Sequence, residues 1–396
     1  LVSEDYRTGA GTKDDAYMYT YDLNNRLVGS AYGHWYYYEH DESDNYGNEE
    51  LDVDSTESTY VYDTLGRLIK ETQSVGGKSA VKSYTYNEFG GETSFTLKLD
   101  GAAKITKTSA YDDFLRLATV TQNGETVSYA YDANGNLTTE TNGSLVTSRS
   151  YNSANAVETL SASAGSGTLF NNTFYFKPNG NISTKLEYNG EDSVLSTAYT
   201  YDNAGQLLSE VRTNYSNNNT VDYRANYLYD PSGNRIRKLT YHNDELTAVI
   251  SEYNAKNQLV KTTEGENVTQ FTYSYRGSLV TEGNTNRSYD CRDKQLSYCD
   301  ADNVTTQYTY YIDGLRKSKK VGTDETKYFI WSNGNMVYEF TATDDTTYFF
   351  GLHLVSSDDY KYVLNAHGDV VALVNASGNV VRRYEYDAFG VELNPD

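Results

Sequence analysis

Histidines, cysteines and one glycine-rich tetrapeptide are the groups of this chain with the most direct route to chemistry, and none has a spacing that completes a site. The five histidines are His34, His40, His242, His353 and His367, and no pair has the H-E-x-x-H spacing that would hold zinc. His367 stands in HGD, where a structural role beside Gly368 is expected. Cys291 and Cys299, separated by seven residues, match no common zinc motif and are too few for a disulfide framework. Two free thiols are expected there, with a local disulfide as the alternative. GGKS at Gly76 to Ser79 resembles the end of a phosphate loop, but Thr72 stands where the first glycine should be and no strand-to-helix switch follows. There is no G-x-S-x-G elbow, and Ser166 in SAGSGT reads as a flexible-loop residue.

Carboxylates are so frequent that pairs of them carry little information. The loop from Asp41 to Glu50 offers oxygen ligands suited to calcium, yet it misses the EF-hand glycine position and reads as a solvated loop. In IDGLRK, Asp313 and Arg316 flank Gly314 and Leu315, and a buried ion pair holding the structure together is expected of them. No catalytic group, metal or cofactor follows from these residues.

The elements that would position such groups are written in a repeat. The phrase YDANGNL recurs as YTYDLNNRL, YVYDTLGRL, YTYNEFGGE, SAYDDFLRL, RSYNSANAV, FYFKPNGNI, YTYDNAGQL, YLYDPSGNRI, SEYNAKNQL and YEYDAFGVE. Its anchor aromatics are Tyr21, Tyr62, Tyr86, Tyr111, Tyr131, Tyr151, Phe176, Tyr201, Tyr229, Tyr253 and Tyr386, and from Tyr62 to Tyr253 they step by 20 to 28 residues. That step suits a β-hairpin with its return connection. Y-x-Y puts two rings on one face of a strand. The next residue, as in Asp22, Asp63, Asp112, Asp132, Asp202, Asp230 and Asp387, can bond backbone groups two residues on and so begins a turn. The glycine three positions later, as in Gly66, Gly90, Gly135, Gly205, Gly233 and Gly390, accepts positive φ. The Leu or Ile that follows opens the returning strand opposite the ring. No stretch has a helical period and only three Pro interrupt the chain, so the expected fold class is all-β: consecutive antiparallel hairpins in one long curved sheet, open at its ends.

Two copies look weak. YDCRDKQL at Tyr289 lacks Gly and carries one extra residue, and RGSL near Tyr275 keeps only Gly and Leu, so looser or bulged hairpins are expected there. Between Tyr21 and Tyr62 the step grows to 41 residues around GHWYYYEHDESDNYGNEELDVD.

Composition agrees with a sheet. Apolar residues make up 38% of 396, but 41 are Tyr, which leaves about 28% plainly apolar. Thin walls with one face near water are expected, since Tyr buries its ring and keeps its hydroxyl wet. About 14 hairpins give about 28 strands, a sheet about 135 Å long that would make about one turn of a ring. The net charge of −22 argues against nucleic acid, and no run of 18 apolar residues is available to span a membrane. Starting at Leu1 without a leader, the chain reads as a piece of something longer.

The Y-x-Y-D-x-x-G-x-L units resemble the YD repeats of RHS proteins, a family that includes bacterial polymorphic toxins, insecticidal toxin-complex components, wall-associated proteins and animal teneurins. The resemblance covers nearly the whole chain from about Tyr19. A second signature, YTYYIDGLRKSKKV followed by TKYFIWSNGNMVYEF and YKYVLNAHGDVVALVNASGNVVRRYEYDAFGVEL, resembles the beginning of the RHS repeat-associated core domain, with Asp313, Gly314, Arg316, Tyr362, Asn365, His367, Gly368, Asp369, Gly378, Tyr384, Asp387, Phe389 and Gly390 in its pattern. The implied organisation is repeats over 1–307 and the first part of the core domain over 308–396.

Membership implies a strip of hairpins that closes, in full-length proteins, into a hollow shell around a C-terminal domain, in some branches a toxin. It also implies self-cleavage beyond a D-P-x-G-L motif, which these residues do not contain. The expected role is a non-catalytic scaffold, secreted or on a bacterial cell surface, whose partner is the downstream domain of the same polypeptide. The alternative is an adhesin region that binds cell-surface or cell-wall glycans through exposed aromatics, beginning with Trp35 and Tyr36 to Tyr38.

Overall fold

The computed structural model describes residues 2–6, 14–37, 49–165, 167–188, 194–242, 245–358 and 360–395, and side chains from residue 17 onward except in 34–37 and 49–56. His40, Tyr38, Ser166 and all but the last two residues of the acidic loop lie outside the described residues, as do the side chains of His34, Trp35, Tyr36 and Tyr37.

The turn phrase explains the architecture. At Asp132 the backbone N–H donates to the Asn136 carbonyl at 2.9 Å and Gly135 N–H returns to the Asp132 carbonyl at 3.1 Å. The carboxylate Oδ1 accepts from Asn134 N–H at 2.9 Å and Asn136 N–H at 2.8 Å, so one side chain satisfies two loop donors. Tyr131 then pairs with Leu137, after a bulge at Ala130/Tyr131 that repeats at the anchor of nearly every copy. Gly135 has φ +89° and open space around the position of a Cβ, so its requirement is purely conformational. Gly135→Val should therefore cost about 1–3 kcal/mol; an unchanged melting temperature would contradict this account of the turn.

Thirty-four strands result, from Val2–Tyr6 to Val380–Arg383, with no helix among the described residues. Registers are antiparallel and join strands consecutive in the chain, and none among the described residues closes the ladder on itself. The strands outnumber the expected 28 because the turn tolerates more sequences than the phrase suggests. At YDCRDKQL, Asp290 and Lys294 form the same closure as Asp132 and Asn136, with Asp293 at φ +59° in the glycine place. Asp adopts that region at modest cost, so this hairpin is regular and has no extra loop residue, contrary to expectation. Ser274 plays the aspartate part for Gly277 and Ser278 in the other weak copy, which is equally regular. Gly76 and Gly77 of GGKS form a two-residue hairpin loop, with Val75 paired to Lys78.

One copy is strained. Leu115 occupies the glycine place of DDFLRL at φ +62° with its side chain half exposed. A γ-branched residue there costs roughly 1–2 kcal/mol, so Leu115→Gly should raise stability by about 1 kcal/mol, read as a higher urea midpoint.

The chain forms two compact units. The first comprises Leu1–Glu125 and Arg287–Leu352, and its core sets Val75, Phe95, Leu97 and Ile105 against Ile330 and Tyr338. The second comprises Thr126–Asn286 and His353–Asp396, and its core sets Leu160, Phe170 and Phe174 against Val363, Ala372 and Val374. Both contain strands from each side of residue 307, so the sequence division there is one of motif. Inside each unit strands far apart in the chain bury a common interior with one face, while their alternate residues stay nearer to water. Alternation explains how: in Lys78–Tyr86 the residues Ala80, Lys82 and Tyr84 all face inward, and the interior accepts Tyr rings and paired charges as well as aliphatics.

Candidate functional site

Neighbouring hairpins are stitched by the anchor tyrosines. Tyr62 donates its hydroxyl to the Leu27 carbonyl at 2.8 Å, Tyr86 to Leu68 at 2.7 Å, Tyr111 to Glu92 at 3.0 Å, Tyr229 to Leu207 at 2.8 Å and Tyr386 to Val370 at 2.8 Å. In most copies the acceptor is the residue that opens the return strand of the preceding hairpin, so each ring binds its own hairpin to the one before. Where Arg follows the glycine place the link is doubled. Arg26 pairs with Asp22, reaches the Asp63 carbonyl at 3.3 Å and lies over the Tyr62 ring at 5.0 Å; Arg67 repeats this with Asp63, Asn87 and Tyr86.

The turn carboxylates respond to their bonds. Asp22 and Asp63 are held below the ordinary range first by the backbone N–H of Arg26 and Arg67, and Asp132 and Asp230 first by the side-chain amides of Asn136 and Asn234. For Asp112 desolvation pushes upward, but bonds from Arg116 and Phe114 prevail and the net shift is downward. A folded value below the unfolded one gives stability that is present above about pH 3.9 and is lost as pH falls through the folded value. Melting temperature should therefore rise between about pH 2 and 4. Asp132→Asn keeps the cap, as Asn152 does at its own turn, and should flatten that rise; an unaltered slope would refute the assignment.

The residues at the beginning of the second signature do not form the expected ion pair. Asp313 and Arg316 are both exposed: Asp313 accepts from Leu315 N–H at 2.9 Å and Arg316 lies over the Tyr308 ring at 4.4 Å. They sit on a turn tip and at the start of the strand Arg316–Val321. The buried charge of this stretch is Glu57, which accepts from Ile312 N–H at 2.9 Å and Lys317 Nζ at 3.1 Å. Tyr311 stands in the aspartate place before Gly314 and offers no such cap; the Leu315 N–H that an aspartate there would hold is taken by Asp313, and Glu57 holds the Ile312 N–H instead. His367, Gly368 and Asp369 form another YD-type turn whose cap is Asn365, bonded to His367 N–H at 2.8 Å and Asp369 N–H at 3.0 Å. Cys291 and Cys299 are not joined in a disulfide.

The last copy differs from the others. The Asp387 side chain is fully buried, whereas Asp22, Asp63 and Asp112 are 20–25% exposed. Its Oδ1 caps Phe389 and Val391 N–H at 2.9 Å each, and its Oδ2 accepts from Lys238 Nζ at 2.6 Å. Glu210, 3% exposed, accepts from Ala388 N–H at 3.1 Å and from the Tyr227 hydroxyl at 2.5 Å. Burial pushes the Glu210 carboxyl and the Tyr227 hydroxyl upward. Phe389 meets the Tyr227 ring edge-on at 4.9 Å beneath Arg235, and Arg212 pairs with Glu385 at 2.8 Å. Tyr201, His367, Asp369, Tyr386, Asp387 and Gly390, all singled out in the sequence, border one cavity in this unit. Lys238 and Glu210 carry no local signal in the sequence, because their partners lie far along the chain.

Hairpins stitched in this way define a structural scaffold. Residues 137–395 match the family model of the teneurin YD-shell and residues 111–147 that of the RHS repeat, and the chain belongs to the teneurin YD-shell family. Among curated proteins it is similar to the tRNA3(Ser)-specific nuclease WapA of Bacillus spizizenii, 28% identical over 197 residues, and to the tRNA nuclease WapA of Bacillus subtilis strain 168, 27% identical. Those matches take in 47% of this chain and only 8% of the relatives. Among solved structures it resembles the Tc holotoxin pore of Photorhabdus luminescens, with TM-score 0.59 at 13% identity over 98% of this chain and 23% of that one. It likewise resembles TcdB2–TccC3, with TM-score 0.57 at 14% identity over 96% and 24%. At that identity these structures establish the fold. No helix among the described residues is long and apolar enough to cross a membrane.

Proposed function

We propose that this chain is a wall segment which, in the intact protein, encloses or presents a C-terminal domain of the same polypeptide, and that it has no catalytic activity of its own. The downstream domain is its partner, nucleic acid is not, and the protein acts outside the cell or on a bacterial surface. The observation that carries this reading is the anchoring of the final turn. Asp387, Ala388 and Phe389 are tied to Lys238, Glu210 and Tyr227 by buried groups, so tension from a following domain is passed into the wall. The similarity to Tc toxin structures and WapA nucleases supports a toxic domain as the cargo.

The test is to produce the chain with its native downstream sequence and follow intact mass, size exclusion and protection from added protease. A downstream domain that resists protease, and that co-elutes if it is cut free, agrees with enclosure. One that is digested as fast as the isolated domain overturns it.

A further inference from the structure

Lys238 stands opposite Tyr227 on the strand Arg235–His242, and its Nζ meets Asp387 Oδ2 at 2.6 Å. The Asp387 side chain is fully buried and that of Lys238 is 18% exposed. A contact of that length brings the nitrogen within about 4 Å of the carboxyl carbon, near the roughly 3–3.5 Å of atoms poised to react. The other oxygen, Oδ1, accepts the N–H groups of Phe389 and Val391 at 2.9 Å each, so two fixed backbone donors polarise the carboxyl group. Glu210 holds the Ala388 N–H at 3.1 Å and Phe389 meets the Tyr227 ring edge-on at 4.9 Å, which fixes the turn from a second side.

We propose that Lys238 and Asp387 condense to an isopeptide bond. Excluding water narrows the gap between an ion pair and its neutral acid and amine, and a lysine in that form is a nucleophile. One proton passes along the 2.6 Å bond from Nζ to Oδ2. The amine then attacks the carboxyl carbon, and the negative charge that develops on Oδ1 is held by the N–H groups of Phe389 and Val391. A second proton, passed from the nitrogen to Oδ2, lets that oxygen leave as water, and the third stays on the amide nitrogen. The step needs no oxidant, reductant or added group.

The bond joins the last turn to the strand Arg235–His242 across 149 positions of the chain, so the turn stays attached even when the unit is unfolded. The inference goes beyond the enclosing role and does not depend on it: the mass of the chain by itself decides the cross-link, whether or not a downstream domain is enclosed.

The test is the intact mass of the whole chain after prolonged incubation at neutral pH, followed by protease digestion and tandem mass spectrometry. The expected result is a mass lower by one water and a branched peptide joining Lys238 to Asp387. On a denaturing gel the wild type should also run ahead of Lys238→Arg, because a closed loop keeps the unfolded chain compact. Lys238→Arg keeps a cation for Asp387, but its guanidinium stays protonated and does not condense, so that variant should show the full sequence mass. Should it fail to fold, the branched peptide in the wild type decides alone. An unchanged wild-type mass overturns the inference. So does a lost water without the branched peptide, which is the signature of a succinimide at Asp387, and so does a loss that persists in Lys238→Arg.

Discussion

Asp387→Ala should destabilise the second unit by about 3–5 kcal/mol, because it leaves the Lys238 ammonium without its buried counter-charge. It also removes the acceptor of two turn N–H groups, those of Phe389 and Val391. Asp387→Asn separates the two effects. Asparagine already caps the turns that begin at Asn87, Asn152 and Asn254, so the amide preserves the backbone bonds and loses only the charge pairing. The expected order of stability is wild type, then Asn, then Ala, read by urea unfolding. Limited proteolysis should find new cuts near Tyr384 to Val391 in the alanine variant first. An alanine variant that unfolds with wild type would remove the anchoring on which the proposed load path rests.

The turns were legible because their causes are local. A carboxylate or amide bonding two and four residues ahead, and a residue that accepts positive φ, act within five positions. For that reason Asp63 and Gly66, Asp202 and Gly205, and Asp230 and Gly233 could be placed from their spacing. Where the same backbone was reached by other side chains the phrase failed as a guide: Asn375 and Asp300 begin identical turns without an anchor tyrosine. Val374 and Cys299 stand in the tyrosine place there. The buried charges were not legible at all. Glu57 meets Ile312 across 255 positions and Glu210 meets Ala388 across 178, and no window of sequence contains both members. Composition could not locate the interior for the same reason. A count of apolar residues misses Lys82, Glu71 and Tyr84, which become interior residues once their partners arrive from a distant strand.

Lys82 is the sharpest case, and Lys82→Ala should cost the first unit about 3–5 kcal/mol. Its side chain is 4% exposed, pairs with Glu71 at 2.7 Å and donates to the Trp331 carbonyl at 2.9 Å. Burial already pushes the Glu71 carboxyl above its ordinary range against the pull of Lys82. Without the ammonium that value rises further. A raised folded value gives stability that is complete below the unfolded pKa, about 4.3, and is lost as pH rises through the folded one. The deficit of Lys82→Ala should therefore be large near pH 7 and shrink toward pH 4 as Glu71 takes up a proton. Glu71→Leu should instead strand the ammonium, with a deficit that does not shrink in acid. Set against Lys82→Met and Glu71→Leu singly, the double variant Lys82→Met with Glu71→Leu fills the volume and strands no charge, so it should unfold within about 1 kcal/mol of wild type, giving a strong coupling in that double-mutant cycle. Additive losses in the double variant would mean that the pair contributes through two independent contacts, and that the interior of this wall does not depend on matched charge.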